Sequence, residues 1–123
     1  MTQPQHISNI DLELLGIKVT DDGGAVRYLE GGRYGLKTSA YHSQIVPGSG
    51  PPEHTHPYAE FFVLHQGGGR YFVGDQAFDA VAGDVVIVPA GTPHRFINTG
   101  DEMLRQTAVH EAPAHHAVYR PEG

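Results

Sequence analysis

The chain has 123 residues, no cysteine and a formal net charge of −6. This length predicts one domain with its own hydrophobic core, and the lack of cysteine excludes disulfides, thiolate nucleophiles and cysteine-ligated zinc. The acidic balance argues against a nucleic-acid partner, because phosphate binding needs clustered positive charge. We find no apolar run long enough for a membrane span and no signal-peptide pattern, so we expect a cytoplasmic protein.

Short apolar runs between turn residues recur along the chain, and long helical patterns are absent. This pattern is typical of an all-β sandwich or barrel. Gly74 and Asp75 suit a tight hairpin turn, whereas Pro89 ends a strand because it cannot donate to the ladder. The continuously apolar run 85–88 predicts a buried strand. The predicted strands span 34–46, 61–64, 70–73, 76–80, 85–88, 95–98 and 103–110.

Nine histidines are more than packing requires in so short a chain, and histidine is the commonest metal ligand among side chains. His54 and His56 lie two apart, so both rings point to the same face of an extended segment. Glu60 opens the next strand after a turn-compatible trio, so its carboxylate can return to the same ion. Together with the distant His94, these side chains offer three imidazoles and one carboxylate. This donor set suits one divalent ion of iron, manganese, nickel, cobalt or zinc better than magnesium or calcium.

Four protein ligands leave two positions of a six-coordinate ion open, which is typical of catalytic rather than structural metal sites. Glu60 is therefore also the candidate catalytic residue, since a carboxylate beside an open site can accept a substrate proton. A His-X-His pair alone is a weak signal, because it also occurs on solvated strand faces.

The complete spacing of these residues is more specific than any of its parts. Two stretches, joined by a short spacer, resemble the two sequence motifs of the cupin superfamily, as found in small single-domain bacterial cupins. The resemblance covers about residues 34–110. The matching positions are Gly48, His54, His56, Glu60 and Gly67 in the first stretch, and Gly83, Pro89, Gly91, His94 and Asn98 in the second.

This resemblance implies a cupin-type jelly-roll β-barrel whose interior binds one divalent transition metal ion. The ligands it implies are His54, His56, Glu60 and His94. We expect a single domain over residues 1–123, with a core at 34–110, an N-terminal arm at 1–33 and a C-terminal tail at 111–123. The resemblance also implies a homodimer. The apolar segment 10–19 is the candidate contact, although it could equally pack on its own barrel.

Alternation along the strands predicts the walls of a substrate pocket. Phe62 lies two residues from Glu60, and Phe96 lies two from His94, so both rings should face the interior as pocket walls or as ordinary core aromatics. The candidates for polar contacts with a small-molecule substrate are Tyr41, Gln44, Gln106, Tyr71 and Arg70, of which Arg70 is more typical of a solvated strand end.

Five further histidines have no support from the motifs, and we expect them at the surface. They are His6, His42, His65, His115 and His116. For the adjacent pair in the tail, a second interpretation is open, namely that the tail folds over the barrel mouth as a lid.

The main functional hypothesis is an oxygen-dependent dioxygenase, an oxidoreductase in which iron or manganese holds dioxygen and a small organic substrate. The alternative is a redox-neutral isomerase, cyclase or decarboxylase in which the metal acts as a Lewis acid. A third possibility is a barrel that binds a small ligand without catalysis. The fold cannot choose among them, because function depends on the site rather than on the scaffold.

Overall fold

The computed structural model of the chain describes residues 4–8, 13–14, 24–116 and 118–119. Within these residues the secondary structure is β-strand, apart from one short 3-10 helix at Gly31–Tyr34. The strands are β1 (Glu13–Leu14), β2 (Ala25–Leu29), β3 (Ser39–Ile45), β4 (His54–Thr55), β5 (Glu60–Gln66), β6 (Gly68–Val73), β7 (Gln76–Val81), β8 (Val85–Val88), β9 (His94–Ile97), β10 (Leu104–His110) and β11 (Val118–Tyr119).

The strands form two antiparallel sheets. One has the order β1-β2-β3-β10-β5-β8 and the other the order β11-β4-β9-β6-β7. Neighbouring strands in each sheet are mostly distant in sequence, so the chain crosses repeatedly from one sheet to the other, as in a jelly roll. The predicted all-β jelly-roll barrel is confirmed.

The core lies between the inner faces of the two sheets. Strand β10 is central because it pairs with β3 on one side and with β5 on the other. Its inward residues alternate with outward ones, as the pleat requires. The buried apolar cluster comprises Tyr28, Tyr41, Ile45, Phe62, Leu64, Tyr71, Ala80, Val86, Val88, Phe96, Leu104 and Ala108.

Two of the predicted strands differ from the observed ones. The predicted strand 34–46 begins only at Ser39, because the 3-10 helix and the turn at Gly35 occupy its first residues. The run Val85–Val88 is a strand, but it is buried on one face alone: Val85 and Ile87 are 57% and 69% exposed. The prediction of a fully buried strand is therefore wrong, since β8 is an edge strand with one face open to solvent.

The segment 10–19, predicted to contact a partner copy, lies outside the described residues except for the backbone of β1, which pairs with β2. The homodimer and the domain boundaries stay predictions. Strand β2 belongs to the six-stranded sheet although it falls within the predicted arm at 1–33. In the part of the chain that the structure describes, no helix has the length and apolarity needed to cross a membrane.

Asn98 fastens the end of β9 to two neighbouring segments. Its side-chain N–H groups donate to the carbonyls of Ile45 and Glu102, both at 2.8 Å, and its Oδ1 accepts from the Gly100 N–H at 2.9 Å. Its backbone also exchanges hydrogen bonds with Gly48 and Ser49. The loop after β3 is thereby held against β9, so closely that a Cβ on Gly50 would lie 1.9 Å from the Phe96 carbonyl oxygen.

Replacing Asn98 by alanine should destabilise the fold by about 2–4 kcal/mol, because the change leaves several backbone groups of these segments without partners. The measurement is equilibrium urea unfolding. Asp101→Ala, at an exposed position in the same turn, is the control and should change the free energy of unfolding by less than about 0.5 kcal/mol. Equal effects of the two substitutions would contradict this account of Asn98.

Candidate metal centre

Four side chains meet at one end of the barrel interior. One ligand atom from each of His54, His56, Glu60 and His94 lies within 4.8 Å of the others. His54 and His94 are direct partners in the pairing of β4 with β9, while Glu60 begins β5 in the opposite sheet. The structure thus brings together all four predicted ligands, although His94 lies 34 positions from Glu60 in the sequence.

Each of the three histidine rings is oriented by a backbone carbonyl two residues before or after it. Nδ1–H of His54 donates to Pro52 at 2.9 Å, that of His56 to Tyr58 at 2.7 Å and that of His94 to Thr92 at 2.8 Å. Such bonds fix each ring with Nε2 directed at the cluster, where this atom can bind a cation. The rings are therefore already arranged as ligands.

Glu60 is 4% exposed, and its carboxylate is surrounded by imidazole N–H groups. Its Oε1 accepts from Nε2 of His56 at 2.8 Å and from Nε2 of His94 at 3.0 Å. Its Oε2 accepts from Nε2 of His110 at 2.7 Å. Burial alone would raise the pKa of Glu60, but these three donors outweigh it and hold the pKa far below its usual range. The carboxylate is therefore ionised.

The histidines of the cluster respond differently to burial. Desolvation lowers the pKa of His54 to about 4, despite the hydrogen bond to Pro52. Desolvation acts in the same direction on His56, but the hydrogen bond to Glu60 and its charge outweigh it and raise the pKa of that ring. His54 is thus neutral and ready to ligate at neutral pH, whereas a proton on His56 competes with a cation for Nε2.

His110 is a member of the site that the sequence motifs do not contain. It is the last residue of β10, directly opposite Glu60 in the pairing with β5, and is 3% exposed. Its Nδ1 accepts a hydrogen bond from the Tyr58 hydroxyl at 2.8 Å. Because His110 holds Oε2, it leaves Oε1 of Glu60 directed at the other histidines. The alternation of inward and outward residues along the predicted strand 103–110 is the sequence feature that could have placed His110 in the interior.

The donor set fits one divalent transition metal ion. Three imidazoles and one carboxylate, oriented by outer hydrogen bonds and all buried except the partly buried His54, match the preferences of such ions rather than those of magnesium or calcium. His54, His56 and His94 would ligate through Nε2, and Glu60 through the oxygen that His110 leaves available.

A cavity of about 630 Å³ opens beside the cluster, and His54, Glu60 and His110 form part of its wall. All five predicted pocket residues line it, namely Phe62, Phe96, Tyr41, Gln44 and Gln106. Four of them are buried and face inward, whereas Gln44 alternates with the inward residues of β3 and is only partly buried.

Two other predicted polar contacts lie elsewhere. Arg70 forms a solvent-exposed ion pair with Asp79 at 3.2 Å, outside the cavity lining. Tyr71 is buried and donates its hydroxyl hydrogen bond to Oε1 of Gln106, so it acts behind the cavity wall. His6, His42 and His65 are exposed, as expected.

The C-terminal tail from Glu111 reaches the cavity at His115. N–H of His115 donates to the Tyr28 hydroxyl at 2.6 Å, and N–H of His116 donates to the Tyr58 hydroxyl at 3.1 Å. The His115 ring contacts Tyr41 and lines the cavity, so the expected surface position is wrong for His115. His116 is exposed. Beyond them, β11 pairs with β4, which carries His54.

Comparison with known proteins identifies a protein family and solved structures that are similar to this chain. The model of the family described as the cupin domain matches residues 41–110. Among curated proteins, none shows significant sequence similarity to the chain.

Solved structures similar to the chain include oxalate decarboxylases. That from Lactobacillus farciminis, as a formate complex, is 25% identical with a TM-score of 0.77, over 89% of this chain and 34% of that chain. A structure of the Bacillus subtilis enzyme, from work on its Mn(II) centres, is 23% identical with a TM-score of 0.78, over 90% and 30% of the two chains. The present chain thus spans about a third of their length. At this level of sequence identity, the similarity supports the fold alone.

Replacing His54, His56 or His94 by alanine should weaken the binding of Mn(II) or Fe(II) by more than about 100-fold, because each change removes a ligand from a preorganised set. Metal content after dialysis and titration of the metal-free protein measure this, with circular dichroism as the test of folding. His42→Ala, at an exposed position, is the matched control and should leave affinity unchanged. Stoichiometric metal in all four variants would disprove the centre.

Proposed function

Because the chain belongs to the cupin family, we propose that it is a metal-dependent enzyme that converts a small organic acid without net oxidation, with decarboxylation as the favoured reaction. The buried cluster of three histidines and one glutamate beside an apolar cavity supports a catalytic metal rather than a structural one. The similarity to oxalate decarboxylases, one of them known for Mn(II) centres, supports the choice of reaction and of manganese.

The observation that carries the proposal is a hydrogen-bonded chain that ends in the cavity. It runs from the Tyr58 hydroxyl to Nδ1 of His110 and from Nε2 of His110 to Oε2 of Glu60. Both His110 and Glu60 line the cavity. A redox-neutral reaction on carbon must move a proton, and this chain holds protons next to the position of the substrate.

A divalent cation held by His54, His56, Glu60 and His94 would supply positive charge that stabilises electron density on a substrate oxygen. The remaining work is done by this chain. Tyr41, Phe62 and Phe96 form aromatic walls of the cavity, and His115 of the tail is part of its lining. Glu60, with its depressed pKa, stays ionised, so it serves as a ligand and not as an acid.

In the proposed reaction, the bond between a carboxylate and its neighbouring carbon breaks, and CO2 leaves. The electron pair stays on that carbon, which then takes one proton, so no external oxidant is needed. His110 lines the cavity and is placed to donate this proton from Nε2. The Tyr58 hydroxyl can then pass its proton to Nδ1 and take a replacement from solvent, which supplies the one proton that each turnover consumes. In an isomerisation, the same groups would remove and return a proton.

The dioxygenase hypothesis, which the sequence favoured, has weaker support. It rested on open coordination positions and apolar walls, and both features serve a redox-neutral enzyme equally well. A proton-transfer chain at the cavity is needed by the second class of reaction and not specifically by the first.

We expect Mn(II)-loaded protein to release CO2 from at least one carboxylic acid in a panel of oxalate, malonate, pyruvate and aryl-substituted α-keto acids, and to do so equally well without oxygen. CO2 release and oxygen uptake are measured in parallel. Turnover that stops under anaerobic conditions and consumes oxygen in proportion to product would favour the dioxygenase. Protein that retains metal and converts no acid would favour a binding role.

His110→Gln should lower turnover by at least about 100-fold while metal occupancy stays near that of the unaltered protein, because a proton donor is lost but no ligand is. Glu60→Gln should lower occupancy and turnover together, since Glu60 is a ligand. His65→Gln, at an exposed position, is the control and should change neither quantity. If His110→Gln also loses its metal, His110 supports Glu60 without donating a proton.

A further inference from the structure

The cavity contains a polar pair that the metal chemistry does not use. Gln106 on β10 and Ser43 on β3 are direct cross-strand partners. Both side chains are buried, with 3% and 8% of their surface exposed, and both line the cavity. Neither belongs to the cluster of ligands or to the chain of Glu60, His110 and Tyr58.

Each of these two side chains has an unsatisfied hydrogen-bonding group that faces the cavity. The Tyr71 hydroxyl donates to Oε1 of Gln106, which fixes the amide and leaves its N–H groups free. Among the described residues, Nε2 of Gln106 and Oγ of Ser43 have no hydrogen-bond partner. In the same part of the chain, every side-chain nitrogen or oxygen that is fully enclosed does have a hydrogen-bond partner. Both atoms are therefore accessible from the cavity, where a ligand can reach them.

The pairing of strands places this polar pair at a defined distance from the metal cluster. Along the inner faces, His110 is opposite Glu60, Ala108 is opposite Phe62, and Gln106 is opposite Leu64. The Cα atoms of His110 and Gln106 are thus four residues apart on one strand, about 13 Å. Between the two polar layers lies a layer of rings, from Tyr41, Phe62 and Phe96, with the small Ala108 leaving space.

The charges of the lining restrict the ligand further. No Lys or Arg is among the described residues that line the cavity, so a dianion would meet no countercharge beyond the metal. Oxalate is short, has no apolar part and carries two charges. It would leave the rings and the distant polar pair without contacts.

We propose that the cavity binds an elongated organic acid: one carboxylate end at the metal, an apolar or aromatic middle against Phe62 and Phe96, and a neutral hydrogen-bond acceptor bound by Gln106 and Ser43. This substrate class rests on the proposed function, because it takes the metal as the anchor of the acid end. Gln106 and Ser43 are then specificity-determining residues, and Tyr71 positions the Gln106 amide.

The test is calorimetric titration of the full Mn(II)-loaded chain with three probes: oxalate, 4-acetylphenylglyoxylate and 4-isopropylphenylglyoxylate. The two aryl acids match in size, and only the acetyl compound carries the acceptor. We expect both aryl acids to bind more tightly than oxalate, and the acetyl compound to bind about 5-fold or more tightly than its isopropyl counterpart.

Gln106→Leu should abolish the preference for the acetyl probe and leave the affinity for the isopropyl probe within about twofold, a difference that a general loss of structure would not produce. Gln106→Met keeps the side-chain length and offers Tyr71 a weak sulfur acceptor but removes the donor, so it should lose the same preference. It serves if the leucine variant does not fold.

This inference would be overturned if oxalate bound as tightly as either aryl acid, or if a Gln106 variant kept the preference for the acetyl probe. Either result would leave the proposed function intact. A protein that binds Mn(II) but none of the three acids would overturn this inference alone. A protein that binds no Mn(II) would refute the proposed function together with the substrate class.

Discussion

The structure depends on how a single negative charge is held inside the barrel. Glu60 is nearly inaccessible to solvent, and a buried carboxylate is tolerated only when its charge and its lone pairs are compensated. Three imidazole N–H groups do this, from His56 before β5, His94 on β9 and His110 on β10. These segments belong to both sheets, so the compensation of this charge also joins the two halves of the barrel. A cation at the cluster would replace the N–H donors as the compensating charge.

The register of the strands separates the interior into layers of different chemistry. Because paired residues lie opposite each other, Glu60 with His110 forms a polar layer, Phe62 with Ala108 an apolar one, and Leu64 with Gln106 a mixed one. A shift of one residue in the pairing of β5 with β10 would turn every one of these side chains to the outer face. The hydrogen bonds of Asn98 and the close approach of Gly50 to Phe96 hold the loop after β3, which borders these layers. The contacts that stabilise the fold therefore also fix the shape of the cavity.

The sequence predicted the four-residue cluster well because its members occupy fixed positions around turns. His54 and His56 share a strand face, and Pro89 and Gly91 fix the approach to His94. It did not predict His110, whose contact with Glu60 depends on the pairing of two strands 50 residues apart in the chain. The position of His115 depends likewise on tyrosines supplied by β2 and β3. For Val85–Val88, the apolar run could not show that the strand lies at an edge, because burial there depends on neighbours that local sequence does not specify.

The cavity itself depends on one small side chain. On the inner face of β10, Ala108 stands between Gln106 and His110, while its partners across the sheet are the large rings of Tyr41 and Phe62. Close-packed interiors rarely leave such a space beside aromatic rings, since lost contacts between buried apolar groups destabilise the fold. The open cavity beside Glu60 therefore lowers the stability of the fold, and the packing of the core gives no reason for it to be there. A function for this volume does explain it, because ligand contacts with the rings and the polar pair would replace the contacts that the empty cavity lacks.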